Sequence, residues 1–181
     1  MRSIVSNINT DYIFEPMDLT IQDLNAESLT IYKAFLREGL INDADNFRIS
    51  ANDDRDLPFP TNGTPDSFTL GAYTEEQLAG VVSFERDGAT REKLRHKGTL
   101  FRMYVSPEHR GKGIAKKLIT EVLSRARALG DIEQVNLTVI ATNPNAIKLY
   151  EQFGFTIYSR EENACKWDGK YLTELQMVVR F

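Results

Sequence analysis

The spacing of apolar and polar positions divides the chain into a helical front and a strand-rich remainder. Leu29, Tyr32, Phe35 and Leu36 fall at i, i+3, i+6 and i+7, one face of a helix, so Asp18 to Glu38 reads as helical with Gly39 at its end. Ahead of it, residues 1–11 read as a loosely held tail and Tyr12 to Pro16 as a short strand stopped by its proline. Residues 42–67, rich in Asn, Asp, Pro and Thr, read as a long loop with room for one helical turn. Phe68 to Tyr73 and Leu78 to Arg86 are strand-like and separated by Thr74-Glu75-Glu76-Gln77, which predicts a hairpin. Thr99 to Val105 follows as a strand ended by Ser106-Pro107. Ile114 to Leu129 then places apolar residues at 114, 115, 118, 119, 122, 123 and 126, an amphipathic helix stopped by Gly130. Val135, Leu137 and Val139 alternate as in a strand, Pro144 to Phe153 forms a short helix before Gly154, and Phe155 to Ser159 and Leu175 to Phe181 are the last strands. From residue 68 onward the order is β-β-β-α-β-α-β-β. It predicts an α/β (α+β) domain with a mixed sheet.

Size and composition narrow the function classes without choosing one. The 181 residues suit one domain spanning 1–181, and ordinary Gly and Pro content excludes collagen-like and low-complexity chains. A lone cysteine, Cys165, forms neither an internal disulfide nor a thiolate metal site, and reads as a small buried hydrophobe. With only His96 and His109 besides, no metal is expected. These features, with no secretory h-region and no membrane-length apolar run, lead to the expectation of a soluble cytoplasmic protein without a membrane partner.

The net charge of −4 conceals an asymmetry. Residues 86–117 hold ten Lys/Arg against three acids, whereas residues 41–67 hold six acids against two arginines. A basic stretch of this kind suits a polyanion, either nucleic acid or a phosphorylated cofactor. The acidic stretch suits a cationic amine or is simply a solvated loop.

The run Tyr104-Val105-Ser106-Pro107-Glu108-His109-Arg110-Gly111-Lys112-Gly113-Ile114-Ala115 is the most informative stretch for that choice. A strand ends and glycines stand at the mouth of a long helix, where unpaired N–H groups and the positive end of the helix dipole favour a phosphate. A dinucleotide Gly-x-Gly-x-x-Gly fails at Lys116, and a P-loop fails because Gly113 follows Lys112. The pattern Arg/Gln-x-x-Gly-x-Gly/Ala fits Arg110 to Ala115 at every position. Further on stands Asn143-Pro144-Asn145-Ala146-Ile147-Lys148-Leu149-Tyr150-Glu151-Gln152-Phe153-Gly154-Phe155, which matches Asn-x-x-Ala-x-x-Leu-Tyr-x-x-x-Gly-Phe.

With these two motifs in this order, the chain resembles the GCN5-related N-acetyltransferase (GNAT) superfamily over about residues 68–181. Lys93 to Gly98 and the strand end Met103-Tyr104-Val105 are similar to some bacterial members. The resemblance implies a mostly antiparallel central sheet flanked by helices, splayed between the strand ending near Val105 and the strand 135–140. It implies acetyl-CoA as acetyl donor, its pyrophosphate on Arg110, Gly111, Lys112, Gly113, Ile114 and Ala115. The pantetheine arm would run along Met103, Tyr104 and Val105, with Asn143 and Ala146 beside it. Nucleic acid is the weaker partner for the basic stretch, since aromatic residues are not interleaved through it.

Tyr150 is the catalytic residue the resemblance implies, placed as general acid toward the departing thiol. Its position among Ala146, Leu149 and Phe153 also suits plain burial, and Asn143 before Pro144 is a helix cap in its own right. Full proton transfer from a phenol near pKa ~10 to a thiolate near ~8.5 is uphill by about 2 kcal/mol, so a hydrogen bond to developing charge is the more economical role. Glutamates that members use as base correspond here to Thr99 and Thr138. Glu85, Glu174, His96 or a water remain as bases. The implied function is transfer of acetyl to a primary amine of a small molecule or peptide. The alternatives are a non-catalytic acyl-CoA-binding module and a nucleic-acid-associated protein. Leu175 to Phe181 is the strand on which a homodimer would pair.

Overall fold

A computed structural model describes residues 18–181. The expected tail 1–11 and strand Tyr12 to Pro16 lie outside the described residues. Seven strands make one sheet in the order β1-β2-β3-β4-β5-β7-β6: β1 (Leu19–Leu24), β2 (Ser67–Thr74), β3 (Gln77–Arg86), β4 (Lys97–Val105), β5 (Gln134–Ile140), β6 (Thr156–Trp167) and β7 (Lys170–Arg180). All neighbours are antiparallel except β4 and β5, which run parallel. The helices are α1 (Leu29–Asn42), α2 (Ala51–Asp54), α3 (Ile114–Ala128) and α4 (Pro144–Gln152).

Each face of the sheet carries its own core. Leu70, Ala72, Ala79 and Val82 pack with Ile114, Leu118, Val122 and other α3 residues, and Tyr150 of α4 joins them. The alternate positions Leu78 and Val81 pack with Tyr32, Leu36 and Leu40 of α1. The apolar stripe read along α3 is the stripe that is buried, and Gly130, at φ +78, follows the end of that helix. Among the described residues no helix is long and apolar enough to cross a membrane, and no group of three or more His, Cys, Asp or Glu side chains is placed to hold a metal.

Three expectations are corrected. Leu19 to Leu24 is a strand, paired along its length with β2, and α1 begins only at Leu29. Gly39 does not end α1. It sits inside the helix because an added Cβ would stand 2.7 Å from the Tyr104 ring, so the glycine lets that ring pack against the helix backbone. The last two strands are much longer than Phe155 to Ser159 and Leu175 to Phe181. They form a 12- and 11-residue hairpin whose outer strand is mostly exposed, which hid its periodicity, and β7 lies inside the sheet between β5 and β6, so it has no free edge on which a homodimer would pair. Part of the 42–67 loop is ordered as well: Ser50 and Asp53 form a capping box at α2.

Candidate active site

The parallel pair β4–β5 holds for only three residue pairs, Lys97–Gln134 to Thr99–Asn136. Beyond them the strands diverge, and a cleft of about 1180 Å³ opens between the end of β4, the start of α3 and the start of α4. A bulge aims the far half of β4. Val81 pairs with Tyr104 and Ser83 with Phe101, so Arg102 and Met103 together oppose Val82, and Arg102 takes φ +52. Leu100, Met103 and Val105 therefore belong with the α3 core, while Tyr104 turns to α1. A non-glycine residue at this φ is costly unless held. Arg102 is held by Asp54 at 3.1 Å and by the Tyr32 hydroxyl at 3.3 Å, and Asp54 also pairs with Lys33 at 2.9 Å.

At the mouth of α3, Gly111 and Gly113 adopt φ +76 and +81, and an added Cβ would meet nothing within 4 Å at either. Glycine is required there by the backbone conformation rather than by crowding. No side chain caps this helix, so its first N–H groups have no side-chain partner. Arg110 arches over the same opening. Its Nε donates to the Val105 carbonyl at 3.0 Å, its guanidinium meets Asp43 at 2.5 Å and lies 5.8 Å from the Tyr104 ring. Lys112 is exposed and outside the cleft lining; the other residues of the 110–115 run line it.

The charge asymmetry resolves differently from expectation. Arg86, its side chain 4% exposed, is clamped by Asp66 at 2.9 Å and Asp131 at 2.7 Å. With Arg102 on Asp54 and Arg110 on Asp43, several of the ten cations answer particular acids rather than a common ligand. Asp43 is the one acid of 41–67 that lines the cleft.

On the other wall, Asn143 caps α4, its Oδ1 accepting from the Ala146 amide at 3.1 Å, and both residues line the cleft. Tyr150 lines it too, its ring edge-on to Phe155 at 5.8 Å. Burial alone pushes its hydroxyl well above the ordinary phenol range. That hydroxyl has no protein hydrogen-bond partner among the described residues, and Tyr150 is 7% exposed where it lines the cleft. Among the described residues, Tyr104 is the one tyrosine whose buried hydroxyl has no hydrogen-bond partner.

The residues named as bases are not gathered at the split. Glu85 is an exposed β3 residue opposite Thr99, and His96 lies before β4, its carbonyl accepting from the Glu133 amide. Neither lines the cleft, whereas Thr99 and Thr138 do. Glu174 is buried on β7, contacted by Arg48 at 2.7 Å and by the Cys165 thiol at 3.1 Å. Sequence reasoning missed Asp43, Arg48 and Arg102, whose partners lie far along the chain with no local signature.

The acetyltransferase (GNAT) family model matches residues 30–155. The chain belongs to the GNAT family. A spermidine N(1)-acetyltransferase from Vibrio cholerae is 37% identical over 84 residues, 46% of this chain and 49% of that protein. The chain spans about half the length of the curated relatives it matches. A Streptococcus pneumoniae acetyltransferase of the GNAT family superposes with TM-score 0.78 at 24% identity, covering 91% of this chain and 99% of its own. A Salmonella typhimurium protein solved with its cofactor acetyl-CoA superposes with TM-score 0.72 at 18% identity, over 90% and 94% of the two chains. The two superpositions extend the GNAT fold well beyond the matched segment, over the mostly antiparallel seven-stranded sheet and its flanking helices.

Proposed function

We propose that the chain is an N-acetyltransferase that moves an acetyl group from acetyl-CoA to a primary amine by direct transfer with both substrates bound. The observation that carries this reading is the divergence of β4 from β5 beside the uncapped, glycine-lined start of α3. The two features suit the two ends of one ligand. The bare edge of β4 offers main-chain groups to an extended arm, as an added strand would use them, and the helix start offers amides to a pyrophosphate.

On this reading Arg110, Gly111, Gly113, Ile114 and Ala115 hold the phosphates, with Lys112 adding charge from outside the cleft. Met103, Tyr104 and Val105 hold the pantetheine arm through their main chain, and Asn143 and Ala146 flank it. The donor supplies an activated thioester. The Val105 amide polarises its carbonyl, and the Tyr150 hydroxyl donates a hydrogen bond to the sulfur as charge develops there. Burial makes Tyr150 a still weaker acid than a free phenol, which favours that hydrogen bond over full proton transfer. The amine must lose a proton, and with Thr99 and Thr138 beside the split this step is assigned to water in the open cleft.

The test is calorimetry with acetyl-CoA followed by thiol release with a panel of amines. Saturable binding with thiol release from at least one amine is expected. Absence of binding at millimolar acetyl-CoA overturns the reading. Binding without release from any amine turns it into the non-catalytic acyl-CoA-binding module, which the two threonines favour.

A further inference from the structure

Five non-glycine residues among those described hold a positive φ. Glu75, Glu76 and Asp168 stand in the two hairpin turns, and Asn163 falls where the edge strand β6 slips register against β7. Arg102 alone lies inside an interior strand, at φ +52, with β3 paired on one side and β5 diverging on the other. Sterics favour the ordinary region over this one by about five- to thirtyfold for a residue with a Cβ. The bulge keeps its shape only where surrounding contacts oppose that bias.

Those contacts come from the acidic loop. α2 is four residues long and fixed by its capping box, and Asp54 is its one buried residue. So short a helix has no apolar face to bury, and what it delivers inward is a carboxylate. Oδ2 of Asp54 meets Lys33 at 2.9 Å, and Oδ1 meets the Arg102 guanidinium at 3.1 Å. Oδ1 is buried and makes no hydrogen bond beyond that ion pair among the described residues, so the two charges depend on each other. A second arm of the guanidinium reaches the hydroxyl of Tyr32, which is fully buried on α1. A buried ion pair adds little net stability over an apolar substitute, so stability alone does not account for this one. The residues that follow are Met103, Tyr104 and Val105, which line the cleft together with Arg102. A change of φ at Arg102 reorients the main chain of the next residue, Met103.

We infer that the Asp54–Arg102 ion pair is a positioning device for the cofactor-facing edge of β4: Asp54, from α2, holds the arginine in its left-handed conformation and thereby sets the direction of the Met103–Val105 main chain. The guanidinium acts on the backbone that carries it rather than as a ligand for the cofactor. This inference rests on acetyl-CoA lying along that edge, as proposed above.

Arg102→Ala removes the anchor and keeps the strain, whereas Arg102→Gly removes both, because glycine holds a positive φ without steric cost. In calorimetry with acetyl-CoA, Arg102→Ala is expected to raise Kd about fivefold, and Arg102→Gly to bind at least about threefold more tightly than Arg102→Ala, since apparent affinity follows the fraction of molecules in the competent conformation. Equal Kd values in the two variants, as a guanidinium acting as ligand would give, overturn the inference. Asp54→Asn should weaken binding several-fold in the wild-type chain and not in the Arg102→Gly background; an equal loss in both also overturns it. The two Arg102 variants decide the matter even if Asp54→Asn does not fold. Hydrogen exchange over residues 100–105 without cofactor is expected to be faster in Arg102→Ala than in the wild type and slower again in Arg102→Gly. A wild type that binds no acetyl-CoA refutes the proposed function, while that exchange pattern would still sustain the anchor. Equal exchange in the two variants refutes the anchor whatever the wild type binds.

Discussion

Gly39→Ala sets two effects of known size against each other. In the middle of a helix alanine is favoured over glycine by about 0.5–1 kcal/mol, so propensity alone predicts a more stable protein. The structure places the new Cβ 2.7 Å from Cε2 of Tyr104 and 2.8 Å from Cδ2 and Cζ. Carbon atoms in contact prefer roughly 3.5–4.0 Å, so the ring must retreat by about 1 Å. It has little room, being buried with Phe35 at 5.2 Å and Phe47 at 6.1 Å between ring centroids. Overpacking of this kind costs about 1–3 kcal/mol, which exceeds the gain. The expected outcome is a net loss of about 1 kcal/mol in urea denaturation, together with weaker acetyl-CoA binding as the end of β4 is displaced. A Tyr104→Leu background should reverse the sign, because removing the ring leaves only propensity. Stabilisation by the same amount in both backgrounds would refute the reasoning.

Three further outcomes are expected. Gly113→Ala meets no atom but must hold φ +81, so it should cost about 1–2 kcal/mol and raise the acetyl-CoA Kd; an unchanged melting temperature and Kd would count against the uncapped-helix cradle. Tyr150→Phe should lower kcat more than it raises KM for acetyl-CoA, and unchanged turnover would return Tyr150 to a packing role. The Arg86 hydrogen bond holds Asp131 below its ordinary 3.8, and at Asp66 burial pushes the carboxyl up but Thr64 and Arg86 hold it net below. With folded values depressed, that stability is present above the ordinary value and lost as pH falls through the folded one. The gap between wild type and Arg86→Gln in denaturation should therefore be full near about pH 6 and narrow below about pH 4; a constant gap would show that the pairing is not what the pH titrates.

The parts of the fold legible in the sequence are those whose cause is local. The start of α3 needs positive φ at two positions and so needs glycines, and α4 announces itself through Asn143, Pro144 and the Ala146, Leu149, Tyr150, Phe153 face. Residues of both motifs line one cleft, on opposite walls. What escaped depends on distant partners. The strand Leu19–Leu24 offers only Leu19 and Ile21 as alternation, too few to outweigh the helical pattern that follows, and its identity comes from β2. Arg86 finds Asp66 and Asp131 across 20 and 45 residues, and Arg102 finds Tyr32 across 70. Composition could register the basic and acidic stretches but not that Arg86, Arg102 and Arg110 of the one pair with Asp66, Asp54 and Asp43 of the other.

The extra residue at Arg102 also makes β4 a strand with a fixed count. Its core-facing positions run 100, 103, 105 instead of 100, 102, 104, a single slip that turns Tyr104 toward Gly39 and leaves Met103 and Val105 on the α3 side. Side chains alternate every residue along a strand, so one further residue inserted between Leu100 and Val105 would exchange those faces all at once, whereas loss of Arg102 would leave a regular strand with the same faces. The insertion would drive the tyrosine ring into the α3 core and bring an aliphatic side chain to the glycine notch in α1. Single amino-acid changes at most surface positions of this protein are graded perturbations. In this stretch the gain of one codon is all-or-none.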